Sequence, residues 1–134
     1  MCGIAGVWSG QAQDDQALTR LGRSMGDRIA HRGPDDSGVW TDPSCGLALV
    51  NRRLAIIDLS PGGHQPMVSA DGRIALVTNG EIYNHLELRR RLEGEGVRFR
   101  SHSDTEVLVE AIAHWGIDRA LAAINGMFAM AVWD

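Results

Sequence analysis

The apolar runs of this chain follow one another through short polar turns instead of through helices, and that order excludes most parallel architectures. "GVW" at 38–40 and "CGLALVNRRLAIID" at 45–58 are separated by little more than Thr41, Asp42, Pro43 and Ser44. "RIALVT" at 73–78 follows a loop rich in Gly and Pro, "LSPGGHQPMVSADG" at 59–72. Parallel neighbours need crossovers of a dozen or more residues, usually helical, so the first two runs pair antiparallel, and the loop at 59–72 is too rich in Gly and Pro to hold a crossover helix. Residues 2–8 and "MFAMAVWD" at 127–134 add two further strands. A helix is predicted over 14–29, where Leu18, Leu21, Met25 and Ile29 recur at spacings of three and four, weakened by Gly22 and Gly26. A second begins at Asn84, read as an N-cap with Glu87 three residues on. A third follows Ser103, which can cap reciprocally with Glu106; Val107, Leu108, Ala111 and Ile112 form its apolar stripe and Gly116 stops it. A short helix precedes the last strand. The expected class is α+β, in layers with mostly antiparallel sheets.

At 134 residues the chain fits one domain. Its net charge is −4 and all 13 basic residues are arginine, which argues against a nucleic-acid surface. The lack of lysine rules out a Schiff-base lysine, a P-loop lysine and a Ser–Lys dyad. Cys2 and Cys45 read as free thiols. The first thirty residues carry no export signal and nothing approaches the ~20 apolar residues that span a bilayer, so the sequence points to the cytoplasm and to no membrane partner. Met25, Met67, Met127 and Met130, and Trp8, Trp40, Trp115 and Trp133, read as packing residues.

Four stretches can carry chemistry. In "MCGIAG", trimming of Met1 would leave Cys2 with a thiol and an α-amine on one carbon, a nucleophile beside a base. "VTNGEIYN" at 77–84 has two readings: a hairpin turn at Asn79-Gly80, or an Asn amide and a Gly N–H converging on a developing oxyanion. In "NRRLAIID" an arginine fork either is solvated at a strand end or grips a carboxylate in bidentate fashion. In "SHSDTE" Asp104 either stabilises the first helical turn or holds an ammonium group. Arg and Asp together would recognise both charged ends of a free α-amino acid. His31, His64, His85, His102 and His114 form no metal set at ligand spacing, and His31 reads as structural or solvated before it reads as a base for Cys2.

"MCGIAG", "HRGPDDSG", "NRRLAIIDLSPGGHQPM", "NGEIYNH", "SDTEV" and "NGMFAMAVWD", in this order, resemble the N-terminal glutaminase domain of asparagine synthase (glutamine-hydrolysing), a class II glutamine amidotransferase of the N-terminal-nucleophile hydrolase group. The resemblance spans residues 1–134 and implies a layered αββα fold. It implies Cys2, freed of Met1, as nucleophile with its own α-amine as base, since pKa values near ~8 and ~8.5 permit proton transfer at neutral pH. It further implies Asn79 and Gly80 as oxyanion hole, Arg53 and Asp104 for the carboxylate and ammonium of L-glutamine, Glu81 for further substrate contact, and the backbone around Leu54, Ile56 and Ile57 as pocket wall. No cofactor or metal is expected for that reaction. ATP and Mg2+ belong to a C-terminal synthetase domain, a partner that 1–134 does not include. Domains of this family continue past the segment matching "FAMAVWD" into further strands, so the resemblance implies a glutaminase domain truncated at its C-terminal end, with self-association, edge pairing or a partner chain covering the exposed faces. The alternatives are a catalytically silent module with the same fold, or a glutaminase serving another acceptor such as a sugar or a different carboxylate.

Overall fold

The computed structural model describes residues 2–134; the removal of Met1 lies outside them. Among these residues the order is β1 (Gly3–Trp8), α1 (Asp15–Arg28), β2 (Asp36–Asp42), β3 (Leu47–Arg53), β4 (Met67–Val68), β5 (Ala75–Ile82), α2 (His85–Gly94), α3 (Asp104–Trp115), α4 (Ile117–Ala123) and β6 (Gly126–Trp133). They form two antiparallel three-stranded sheets, ordered β1-β3-β2 and β4-β5-β6. Alternation along the central strands stacks the sheets face to face: Leu47 and Leu49 of β3 pack with Ala75 and Val77 of β5. The opposite face of β5 presents Leu76 and Ile82 to Leu88 and Leu92 of α2 and to Val107, Leu108, Ala111 and Ile112 of α3. With α1 on the outer face of the first sheet, the layers are helix, sheet, sheet, helix, as expected from the sequence. No helix among the described residues is long and apolar enough to cross a membrane.

The helix α1 packs differently from its apolar pattern. Leu21 is exposed, and the buried positions are Leu18, Gly22 and Gly26, a stripe at spacings of four. A Cβ at Gly22 would lie 2.6 Å from Val39 Cγ1, so the glycines that weaken the helix also bring its backbone down onto β2 and β3. Three other local expectations are corrected. Residues 54–58 are loop, because β3 loses both neighbours near Arg53: β1 pairs from Gly3 with Arg52, and β2 from Asp36 with Arg53. At Asn84 the side chain caps nothing in α2; its amide instead donates to Ala123 O and accepts from Asn125 N. At α3 Ser103 Oγ does accept from Thr105 N at 3.1 Å. Its partner Glu106 turns away, accepting from Arg100 N and Ser101 N at 2.8 and 2.7 Å.

Candidate active site

The Asn79-Gly80 pair makes no turn. The strand β5 continues through it to Ile82, with Asn79 opposite Ala129 and Gly80 opposite Phe128 of β6. Gly80 is required by close approach: a Cβ there would meet Met127 O and lie 2.5 Å from Phe128 Cα. The strand edge facing away from β6 is unpaired beyond Leu76, since β4 reaches only Ala75 and Leu76. A cavity of about 410 Å3 opens beside that edge.

Cys2 enters this cavity from the first sheet. Gly3 pairs with Arg52, so the ladder places Cys2 across from Arg53, where β3 gives way to loop. Its Sγ sits between the main-chain groups of Leu54, accepting from N at 3.4 Å and donating to O at 3.7 Å. The second thiol, Cys45, is elsewhere, at the β2–β3 turn, with Sγ donating to Asp42 O at 3.7 Å. Burial and the neighbouring Asp42 charge push the Cys45 thiol up, which leaves it less of the reactive thiolate.

Arg53 is not the solvated arginine of a strand end. It is 7% exposed and lies beneath the 58–63 segment, donating through Nη1 to Ser60 O at 3.1 Å and through Nη2 to Asp58 O. A Cβ at Gly63 would fall on the guanidinium. Among the described residues these are the hydrogen bonds the fork makes, and a guanidinium has five N–H donors. Asp58 fastens the segment: its carboxylate accepts from Ser60 N at 2.8 Å and His102 N at 3.1 Å. Bonds from the Ser60 hydroxyl and main chain, then from His102, with the Arg53 charge, hold the Asp58 carboxyl below its usual range against burial. Asp104, at the first position of α3, accepts from Ile82 N at 3.0 Å through Oδ2 and from Thr105 N through Oδ1. It thus ties the helix to β5 and still has lone pairs to offer.

All nine residues singled out in the sequence, namely Cys2, Arg53, Leu54, Ile56, Ile57, Asn79, Gly80, Glu81 and Asp104, line this one cavity. Sequence reasoning missed Asp58, Gly63, Gln65, Tyr83, Ser103, Thr105, Phe128 and Ala129 in its wall, and took Met127 for a packing residue although it lines the cavity 70% exposed. Gln65, Thr105 and Phe128 had a signal in lying inside the motifs "NRRLAIIDLSPGGHQPM", "SDTEV" and "NGMFAMAVWD", but nothing in type or spacing gave them a role. His31 and the other four histidines lie outside the wall. Among the described residues no group of His, Cys, Asp and Glu could hold a metal ion.

Comparison with known proteins shows which family the chain belongs to. The glutamine amidotransferase domain family matches residues 1–134. The chain belongs to that family. The amidotransferase domain is 40% identical to asparagine synthetase [glutamine-hydrolyzing] 1 of Bacillus subtilis, over 100% of this chain and 21% of that protein. It is 36% identical to the amidase chry2 of Gibberella zeae, again over 100% of this chain and 21% of that protein. The chain therefore spans about a fifth of the length of these relatives. Among solved structures, a glutamine phosphoribosylpyrophosphate amidotransferase from B. subtilis, complexed with ADP and GMP, superposes with a TM-score of 0.71 at 22% identity, covering 96% of this chain and 34% of its own. The amidotransferase domain shares that fold.

Proposed function

We propose that this amidotransferase domain hydrolyses L-glutamine to L-glutamate and ammonia, with Cys2, freed of Met1, as nucleophile. The observation that carries the reading is the meeting, in one cavity of about 410 Å3, of a thiol, a buried arginine, a helix-end aspartate and an Asn-Gly strand edge. Arg53 takes the α-carboxylate and Asp104 the α-ammonium, with Glu81 close by, which fixes the side-chain amide at the Cys2 end. The α-amine of Cys2 removes the thiol proton as Sγ attacks the amide carbon. The carbonyl oxygen takes up negative charge, and Asn79 and the Gly80 N–H stabilise it. The protonated amine passes its proton to the leaving nitrogen, ammonia departs, and a γ-glutamyl thioester remains. Water, deprotonated by the same amine, resolves it to glutamate and restores the thiol.

In the whole protein we infer that the ammonia is passed to a synthetase domain that amidates aspartate using ATP and Mg2+, in the cytoplasm, in keeping with the relatives named asparagine synthetase. A different acceptor is favoured by one observation, that a relative of equal coverage carries the name amidase chry2 instead.

The test is glutamate release from glutamine by the purified protein, with intact mass reporting the loss of Met1. Cys2→Ala abolishes release, and a diazo-ketone analogue of glutamine labels Cys2. Labelling at Cys45 or normal turnover by Cys2→Ala overturns Cys2 as the nucleophile, and a protein with Cys2 exposed that releases no glutamate overturns the reading in favour of a silent module.

A further inference from the structure

The open edge of β5 has a regular sequence of partners. Backbone alternation puts the N–H groups of Thr78, Gly80 and Ile82 on this edge. Thr78 N donates to Gln65 Oε1 at 2.7 Å, and Ile82 N donates to Asp104 Oδ2 at 3.0 Å. Between them, Gly80 faces the cavity. Two side chains thus stand in for the neighbouring strand that ends at Val68, one on each side of the proposed oxyanion donor.

Gln65 is itself held from both sheets and from α3. Its Oε1 also accepts from Asn51 Nδ2 at 3.2 Å, and the same Asn51 amide donates to Thr78 O at 3.4 Å. Its Nε2 donates to Thr105 Oγ1 at 3.3 Å, next to Asp104. Its main-chain carbonyl packs on β2 where a Cβ at Gly38 would collide with it. The residue is 5% exposed, and each of its amide heteroatoms has a partner. Gln65 bonds the N–H of Thr78 and holds the Asn51 amide that bonds Thr78 O, so opposite the β6 ladder it secures the free edge of the strand just before the Asn79 side chain and the Gly80 N–H.

We propose that Gln65 is a positioning residue of the oxyanion corner: it replaces a strand beside Thr78, orienting Asn79 and Gly80 toward the oxygen of the reacting carbonyl, and touches neither nucleophile nor scissile bond. The inference rests on the glutaminase reading and adds to it a residue acting through the backbone. Donors aimed at developing charge act mainly in the transition state, so a misaimed pair lowers kcat and leaves KM nearly alone.

The test compares Gln65→Met, which keeps length and removes both hydrogen-bonding ends, with Gln65→Glu, which keeps the acceptor for Thr78 N and for Asn51. Both are measured in the full-length protein, with kcat expressed per Cys2 site titrated by the diazo-ketone analogue, so that misfolded molecules drop out. Gln65→Met is expected to lower kcat by about tenfold or more with KM changed by less than about threefold, and amide exchange over 76–82 speeds up. Gln65→Glu restores kcat to within about threefold of the unmodified protein. Unchanged kcat per site in a folded Gln65→Met, a loss confined to KM, or Gln65→Glu as slow as Gln65→Met overturns the inference while the glutaminase reading stands. Should Gln65→Met fail to fold, Gln65→Glu decides alone, and a kcat loss beyond about tenfold rejects the inference. An unmodified protein inert toward glutamine rejects the reading beneath it and this inference together.

Discussion

Asn79 and Gly80 stand in the middle of β5, paired with β6 on one side and anchored by buried polar groups on the other, whereas Leu54, Ile56 and Ile57 stand on a segment with no strand beside it. The first end is ladder; the second is held by side chains reaching main-chain atoms, Arg53 to Ser60 and Asp58 to His102. The segment also carries exposed apolar side chains, Ile56 at 57% and Leu59 at 77%, while on the strand Asn79 is half-buried and Gly80, which has no side chain, is exposed. The contrast has a physical reason. Donors that stabilise charge lose their effect when misdirected, so they belong on backbone whose direction is fixed twice over. A recognition surface must let a ligand in and out, and isolated tethers open at lower cost than a paired strand.

Gly80→Ala breaks the ladder end directly, because the added methyl meets Met127 O and Phe128 Cα. Glutamine turnover is expected to fall by about a hundredfold or more, chiefly in kcat; steady-state kinetics on the folded variant showing near-normal kcat would remove the oxyanion role from this strand. Arg53→Lys probes the segment end. A lysine cannot span two carbonyls and a carboxylate at once, so KM for glutamine rises by about tenfold or more while kcat holds within about threefold. An equal loss in kcat would erase the distinction between the two ends.

Asp58→Asn tests the tether through pH. The folded carboxyl titrates below its unfolded value of about 3.9, so its contribution is complete above that pH and is lost as pH falls through the lower folded value. Between those two values the unmodified protein loses stability with falling pH more steeply than Asp58→Asn, as read by chemical unfolding at a series of pH values. Parallel curves would mean that Asp58 holds the segment without its charge. The smallest effect belongs to Leu59→Ser. This side chain is exposed and outside the cavity wall, so stability changes by less than about 0.5 kcal/mol, and kinetics and melting temperature stay within error.

The order of elements along the chain and the antiparallel pairing were legible because apolar runs and turn residues act over a few positions, whereas the αββα layering was legible through the motif resemblance. The cavity residues were legible through motif resemblance, and all nine meet in space. Errors fell where the deciding neighbour is remote. Residues 54–58 have strand composition and no strand to pair with. Asn79-Gly80 has hairpin composition, yet β6 runs alongside it from nearly fifty residues further on. The burial of Gly22 instead of Leu21 depends on Val39 and Val50 lying beneath the helix.

The sequence by itself determined the antiparallel layering, the residue types able to grip a free amino acid, and the exclusion of lysine chemistry, since each follows from local pattern or from composition. Only the tertiary structure decided that Arg53 is buried under the 58–63 segment, that Asp104 bonds Ile82, and that Gln65 completes an unpaired strand edge. Those bonds join residues 5 to 40 positions apart, and whether such groups meet depends on how the two sheets stack, which no single segment encodes.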